Sequence, residues 1–168
     1  NDLVVGGAGE HDEVSYESAG GSVNLNLADG TVSDGEGGTD TLVGIERVRG
    51  GAFDDTLTGD DYRNAFVANA GNDTIDIESG TVSGNFTAFG GTGDDSFLVS
   101  KASYGDAYID GQEGSDSYVV QIADRSSRLV VARDSGIVGT DTLDVYGTVV
   151  GDFVTFRSGV VSTPQQSI

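Results

Sequence analysis

The sequence contains no cysteine, so neither a disulfide framework nor a thiolate metal site is open to it. Its only histidine is His11, which argues against zinc, an ion that prefers imidazole and thiolate ligands. Basic side chains are scarce: 8 Lys and Arg stand against 28 Asp and Glu, a formal net charge of −20. A phosphate backbone is repelled by such a surface, and nucleic acid is excluded as a partner. No apolar run reaches 18 residues, so no membrane-spanning helix is expected. Proline occurs once and no stretch has amphipathic helical spacing. Composition alone is compatible with disorder, because a chain this polar buries little apolar surface.

What is abundant is glycine, 27 residues of it, and it recurs at intervals. Asp55, Asn64 and Asp73 are nine residues apart, and each is followed two residues later by a large apolar residue, Leu57, Phe66 and Ile75. The stretch divides into GGAFDDTLT (50–58), GDDYRNAFV (59–67) and ANAGNDTID (68–76). Each copy reads as a polar turn of about six residues followed by a short strand. GGTGDDSFL (90–98) and GQEGSDSYV (111–119) are strong copies, whereas GEGGTDTLV (35–43), GIVGTDTLD (136–144) and GTVVGDFVT (147–155) are weaker.

The pattern G-G-x-G-x-D-x-U-x, with U large and apolar, resembles the calcium-binding nonapeptide of the repeat-in-toxin family. The resemblance implies an all-β fold, a right-handed parallel β-roll or β-helix solenoid with calcium-binding turns. In such a roll two nonapeptides make one coil, and turns about eighteen residues apart stack at the inter-strand spacing of roughly 4.8 Å. Asp40, Asp55, Asp73, Asp95, Asp116 and Asp141 follow one another at intervals of 15, 18, 22, 21 and 25 residues, which predicts one column of carboxylates along one edge. Asn64 falls on the opposite edge as a neutral ligand. The later turns there, within 77–86, 100–108 and 123–136, lack glycine order and read as metal-free loops.

Stacked carboxylates a few Å apart repel by about 1 to 4 kcal/mol per pair, and something must neutralise them. Ca²⁺ accepts six to eight oxygen ligands in flexible geometry, whereas Mg²⁺ demands a tighter octahedron. The family resemblance implies several ions, each held between the position-six aspartates of two stacked turns. The implied pairs are Asp40 with Asp55, Asp55 with Asp73, Asp73 with Asp95, Asp95 with Asp116 and Asp116 with Asp141. Backbone carbonyls of Gly50, Ala52, Ala68, Ala70, Gly90, Thr92, Gly111 and Glu113 would complete the shells.

The eighth-position residues Leu42, Leu57, Phe66, Ile75, Phe97, Tyr118 and Leu143 are expected to point inward. Burying each contributes about 1.5 to 3 kcal/mol. Ordering one coil costs about 1 to 2 kcal/mol per residue, so several coils and their ions must form together. Segments 14–30 and 42–51 depart from the repeat but alternate like strands: Val23, Leu25 and Leu27 share one face, Asn24 and Asn26 the other. Residues 1–161 are expected to form one solenoid, a piece of a longer chain because Asp2–Val5 reads as half a nonapeptide, and 162–168 a frayed tail.

No catalytic constellation is legible. His11 has no Ser or Cys nearby and is expected in a turn, near a weak metal site with Asp12. The pairs Asp54-Asp55 and Asp94-Asp95 alternate faces and do not form a dyad. The expectation is a non-enzymatic calcium-binding module of a secreted bacterial protein. The resemblance implies export by a type I machine and folding outside the cell as scaffold in a toxin, adhesin, surface-layer or matrix protein. Two alternatives stand beside it. One is a module binding anionic glycan or a cell surface, with Arg125, Arg128 and Arg133 as contacts; the other is end-to-end self-association through open strand edges.

Overall fold

Short apolar runs bounded by glycine produce short strands, and among the described residues there is no helix. The computed structural model describes residues 1–60, 62–77, 85–99, 106–122 and 129–147, with the backbone of 153–157. In chain order the strands are β1 (Leu3–Val5), β2 (Glu13–Ser15), β3 (Asn24–Asn26), β4 (Thr31–Ser33), β5 (Asp40–Val43), β6 (Arg47–Arg49), β7 (Thr56–Thr58) and β8 (Ala65–Ala70). They continue as β9 (Thr74–Ile77), β10 (Phe86–Thr92), β11 (Ser96–Val99), β12 (Ala107–Glu113), β13 (Ser117–Ile122), β14 (Leu129–Arg133), β15 (Thr142–Gly147) and β16 (Phe153–Arg157).

Two sheets result. The first runs β1-β5-β4-β3-β7-β9-β11-β13-β15 and the second β16-β14-β12-β10-β8-β6-β2. From β6 onward the chain alternates strictly between them, and every pairing in that part is parallel. This is a parallel β-solenoid, as the repeats imply.

Register lines up like residues. Leu25, Leu57, Ile75, Phe97, Tyr118 and Leu143 stack through the first sheet. Val14, Val48, Phe66, Ala88, Ile109 and Ala132 stack through the second. Every eighth-position residue expected inside is buried, Phe66 from the second sheet and the other six from the first. Phe97 and Tyr118 stack face to face at 5.1 Å, while Phe66 meets Phe86 edge-on at 5.2 Å. Val23 and Leu25 are buried and Asn24 exposed, as their alternation predicts.

Two expectations are corrected. The polar turn is shorter than six residues, because the first three nonapeptide positions extend the second sheet as the ends of β8, β10 and β12. Only Gly71-Asn72-Asp73, Gly93-Asp94-Asp95 and Gly114-Ser115-Asp116 remain between the strands. The weak copy at 35–43 is not a solenoid coil. β3, β4 and β5 form an antiparallel meander inserted in the first sheet, so β3, and not β5, lies beside β7. Its first turn is built locally: the Asn26 side chain accepts the Asp29 N–H and donates to the Asp29 carboxylate, and Gly30 closes the turn onto the Leu27 carbonyl. Val32, Leu42 and Ile45 from this region join the one hydrophobic core.

The turn glycines are fixed by two constraints at once. Gly93 has φ +126°, and a Cβ there would fall on the carbonyl oxygen of Gly71 in the preceding coil. Gly114 stands in the same relation to Gly93, and Gly139 to Gly114. Gly37 (φ +98°), in the loop between β4 and β5, has open space around it. The variant G37A therefore bears only the backbone cost, about 1 to 2 kcal/mol. G93A also forces the coils apart and is expected to lose about 3 kcal/mol or more. Denaturant unfolding of the two variants side by side checks the ranking; equal losses would contradict it.

Candidate metal centre

Where the second sheet hands over to the first, each backbone N–H of the turn points along the solenoid axis toward a neighbouring coil. A short acceptor side chain is needed there, since a buried unpaired N–H is costly. Asp73 Oδ1 accepts the Asp55 N–H at 2.7 Å, Asp95 the Asp73 N–H at 2.8 Å, Asp116 the Asp95 N–H at 2.9 Å, and Asp141 the Asp116 N–H at 2.9 Å. These five aspartates stack in one column and are at most 2% exposed.

Asp40 does not join them. The meander places β5 against β1 and β4, so Asp40 accepts the Asp2 N–H and approaches the Asn1 amine at 3.6 Å. Its place beside Asp55 is taken by the backbone of Val23, whose N–H donates to Asp55 Oδ1 at 2.8 Å. The implied pairing of Asp40 with Asp55 is thereby overturned.

A second ladder, not foreseen from the sequence, runs the opposite way. Asp54 accepts the N–H of Asn72, Asn72 that of Asp94, Asp94 that of Ser115, and Ser115 that of Thr140, at 2.7 to 3.0 Å. Position six thus reaches back to the preceding coil and position five forward to the next. The exposed Asp54 and Asp94 are members of a ladder as well as solvated charges. The signal was present in the sequence as an acceptor side chain immediately before each column aspartate.

The second carboxylate oxygen separates the column members. Asp55 Oδ2 accepts the Gly51 N–H at 2.6 Å. The Oδ2 atoms of Asp73, Asp95 and Asp116 are buried with no hydrogen-bond partner among the described residues. Glycine makes room for them: a Cβ on Gly90 would collide with Asp95 Oδ2, and one on Gly111 with Asp116 Oδ2. Burial, followed by the proximity of other aspartates, pushes these carboxyls up, to about 6 for Asp73, about 7 for Asp95 and about 6 for Asp116. Their N–H donors oppose the rise without cancelling it.

At the end of the column a third carboxylate enters from outside the repeat. Arg133, the last residue of β14, pairs with Asp110 of β12, and Asp134 follows it directly. Asp116, Asp134 and Asp141 are all buried, with one oxygen from each lying within 4.8 Å of the others. Burial, a hydrogen bond with Asp141 and the nearby charges push Asp134 up to about 6. Tyr118 lies against this group, accepting the Gly111 N–H and donating to the Arg133 carbonyl.

The other expected ligands are placed as follows. Gly50, Ala52, Ala68, Ala70, Gly90, Thr92, Gly111 and Glu113 hold the first and third positions of their copies. The Thr92 and Glu113 carbonyls accept the N–H groups of Gly71 and Gly93, and the Gly50 carbonyl accepts from Asn69. Asn64, on the opposite edge, is clasped by its own turn, its amide accepting from the Asp60 N–H and donating to the Asp60 carboxylate. Asp12 keeps one buried unpartnered oxygen, but His11 beside it is exposed. Arg125, Arg128, most of the opposite-edge loops and the tail 162–168 lie outside the described residues.

Unpartnered buried carboxylate oxygens are available as metal ligands, and the group of Asp116, Asp134 and Asp141 could hold an ion. No protein family, no curated protein and no solved structure matches the chain.

Free of metal, the part of the column formed by Asp73, Asp95 and Asp116 binds protons more tightly folded than unfolded, where an aspartate titrates near about 3.9. Its contribution to stability is therefore complete below that value and is lost as pH rises through 6 to 7. In chelator, ordered β-structure followed by circular dichroism is expected to be greater at pH 5 than at pH 8. The triple variant D73N/D95N/D116N, which keeps each Oδ1 acceptor, should flatten the difference; an unchanged pH profile in that variant would refute the assignment.

Proposed function

We propose that this chain is a calcium-dependent structural module of the repeat-in-toxin type, without catalytic activity, that folds on meeting calcium outside the cell. The observation that carries the reading is the row of buried, unpartnered Oδ2 atoms of Asp73, Asp95 and Asp116, ending in the Asp116, Asp134 and Asp141 cluster. A buried carboxylate oxygen without a partner is destabilising, by about 1 to 3 kcal/mol or more where the group is charged, and a stack of them more so. One ion between successive turns removes both the repulsion and the missing bonds. Asp55, Asp73, Asp95, Asp116 and Asp141 are the residues that would hold such ions, with Asp134 at the last. Oxygen donors and the absence of cysteine favour Ca²⁺ over softer metals.

Coupling between ions and coils suits a scaffold. In a low-calcium cytosol the column would be charged and the chain unfolded, as export through a type I machine requires. In millimolar calcium it would wind into a stiff rod, serving as spacer in a secreted toxin, adhesin, surface-layer or matrix protein.

End-to-end association has a specific observation of its own. Among the described residues β1 pairs only with β5, leaving a strand edge, and Leu3 and Val5 of β1 with Val43 of β5 are at least half exposed. Size that changes with concentration in calcium would support it.

Circular dichroism and hydrodynamic radius followed through a calcium titration, with magnesium as control, test the main reading. Calcium-specific gain of β-structure with compaction is expected, and D95N should shift the midpoint to higher calcium. Full ordered structure in excess chelator at pH 8 would refute it.

A further inference from the structure

The cations of this acidic chain are unevenly distributed. Four arginine side chains are described, and two of them are tied in ion pairs. Arg49 holds Glu13 at 3.0 Å and Glu17 at 3.6 Å, while Arg133 lies 3.9 Å from Asp110 and donates to Tyr108. The other two, Arg47 and Arg63, are exposed and have no ion pair among the described residues, in a chain with 28 acidic side chains. Both line the same cleft of about 280 Å³, which also receives the only histidine, His11.

The cleft lies on the edge opposite the aspartate column. Its walls come from the starts of four strands adjacent in the second sheet: Glu10 and His11 before β2, Glu46 and Arg47 at β6, Arg63 and Asn64 before β8, and Asn85 and Thr87 at β10. Three inter-strand steps make it roughly 14 Å long, parallel to the solenoid axis. It is a furrow across successive coils.

We infer that this furrow binds a hydroxylated carboxylate, either a free hydroxy acid or the uronate units of an acidic glycan. Guanidinium groups recognise a carboxylate through paired N–H donors, and among the described residues no carboxylate forms an ion pair with these two. Glu10 and Glu46 weigh against a compact, multiply charged anion such as phosphate. Beside them, Asn85 and Thr87 supply acceptors and donors for hydroxyl groups. The Glu46 carboxylate is fixed by the Asp12 N–H at 3.1 Å, and Asn64 by Asp60, so part of the wall is preorganised. The site is independent of the metal centre and differs from the glycan contact expected at Arg125, Arg128 and Arg133.

The test is calorimetric titration of the whole chain in calcium with galacturonate oligomers, with gluconate as a free hydroxy acid, and with neutral galactose oligomers. Binding of either acid, with none of the neutral sugar, is expected; whether gluconate or only the oligomer binds separates the two sources. The double variant R47Q/R63Q should weaken that binding about tenfold or more. R49Q, which removes an arginine outside the cleft, should leave it within about twofold, and circular dichroism confirms that both variants fold. No binding of either acid at millimolar concentration, or equal affinity in R47Q/R63Q, would overturn the inference.

Discussion

The constraint on which this structure depends is that turn N–H groups point along the solenoid axis, away from their own strand. A plane of three-residue turns between two parallel sheets would leave these donors buried and unpaired. The chain resolves this with the shortest acidic side chain, placed at position six and directed to the preceding coil, while position five reaches forward. Each turn is pinned on both sides. The arrangement fixes register, because a slip of one residue would separate every acceptor from its donor and turn the apolar stacks outward.

The same device stacks carboxylates at strand spacing in the dry interior. One oxygen of each is satisfied by the ladder; the other is buried without a partner in Asp73, Asp95 and Asp116, and in Asp95 and Asp116 it faces the bare Cα of a glycine. That geometry ties conformation to the protonation of the column and, under the proposed function, to its occupancy by metal. Asp55, whose longer approach from β6 supplies the Gly51 N–H, escapes the problem and shows what the inner coils lack.

Much of this was legible in the sequence. The column from Asp55 to Asp141 could be read from spacing because insertions fall on the opposite edge and leave the glycine-rich turns intact. The core stacks followed from the apolar residue two places after each aspartate. Asp40 was misplaced because a glycine-rich loop before an alternating strand looks the same in a hairpin and in a solenoid coil. The Asp29-Gly30 turn, between two alternating segments, was the sign of antiparallel pairing. Asp134 was hidden because it lies outside the nonapeptide, its approach to Asp116 and Asp141 arising from the register of β14 on β12. The furrow of Arg47 and Arg63 was hidden for a similar reason: its residues are scattered along the chain and meet only when four strands stack. Among the described residues the two edges of the solenoid are chemically different, one a column of aspartates and the other, at the furrow, a mixed surface with two arginines outside any ion pair.

The central claim is that the inner oxygens of the column are metal ligands. The most direct measurement is anomalous diffraction from crystals of the chain grown in calcium. The account predicts anomalous peaks adjacent to Oδ2 of Asp73, Asp95 and Asp116, one between each pair of stacked turns. An ordered column with no anomalous density beside it, and calcium only on exposed surface carboxylates, would contradict it.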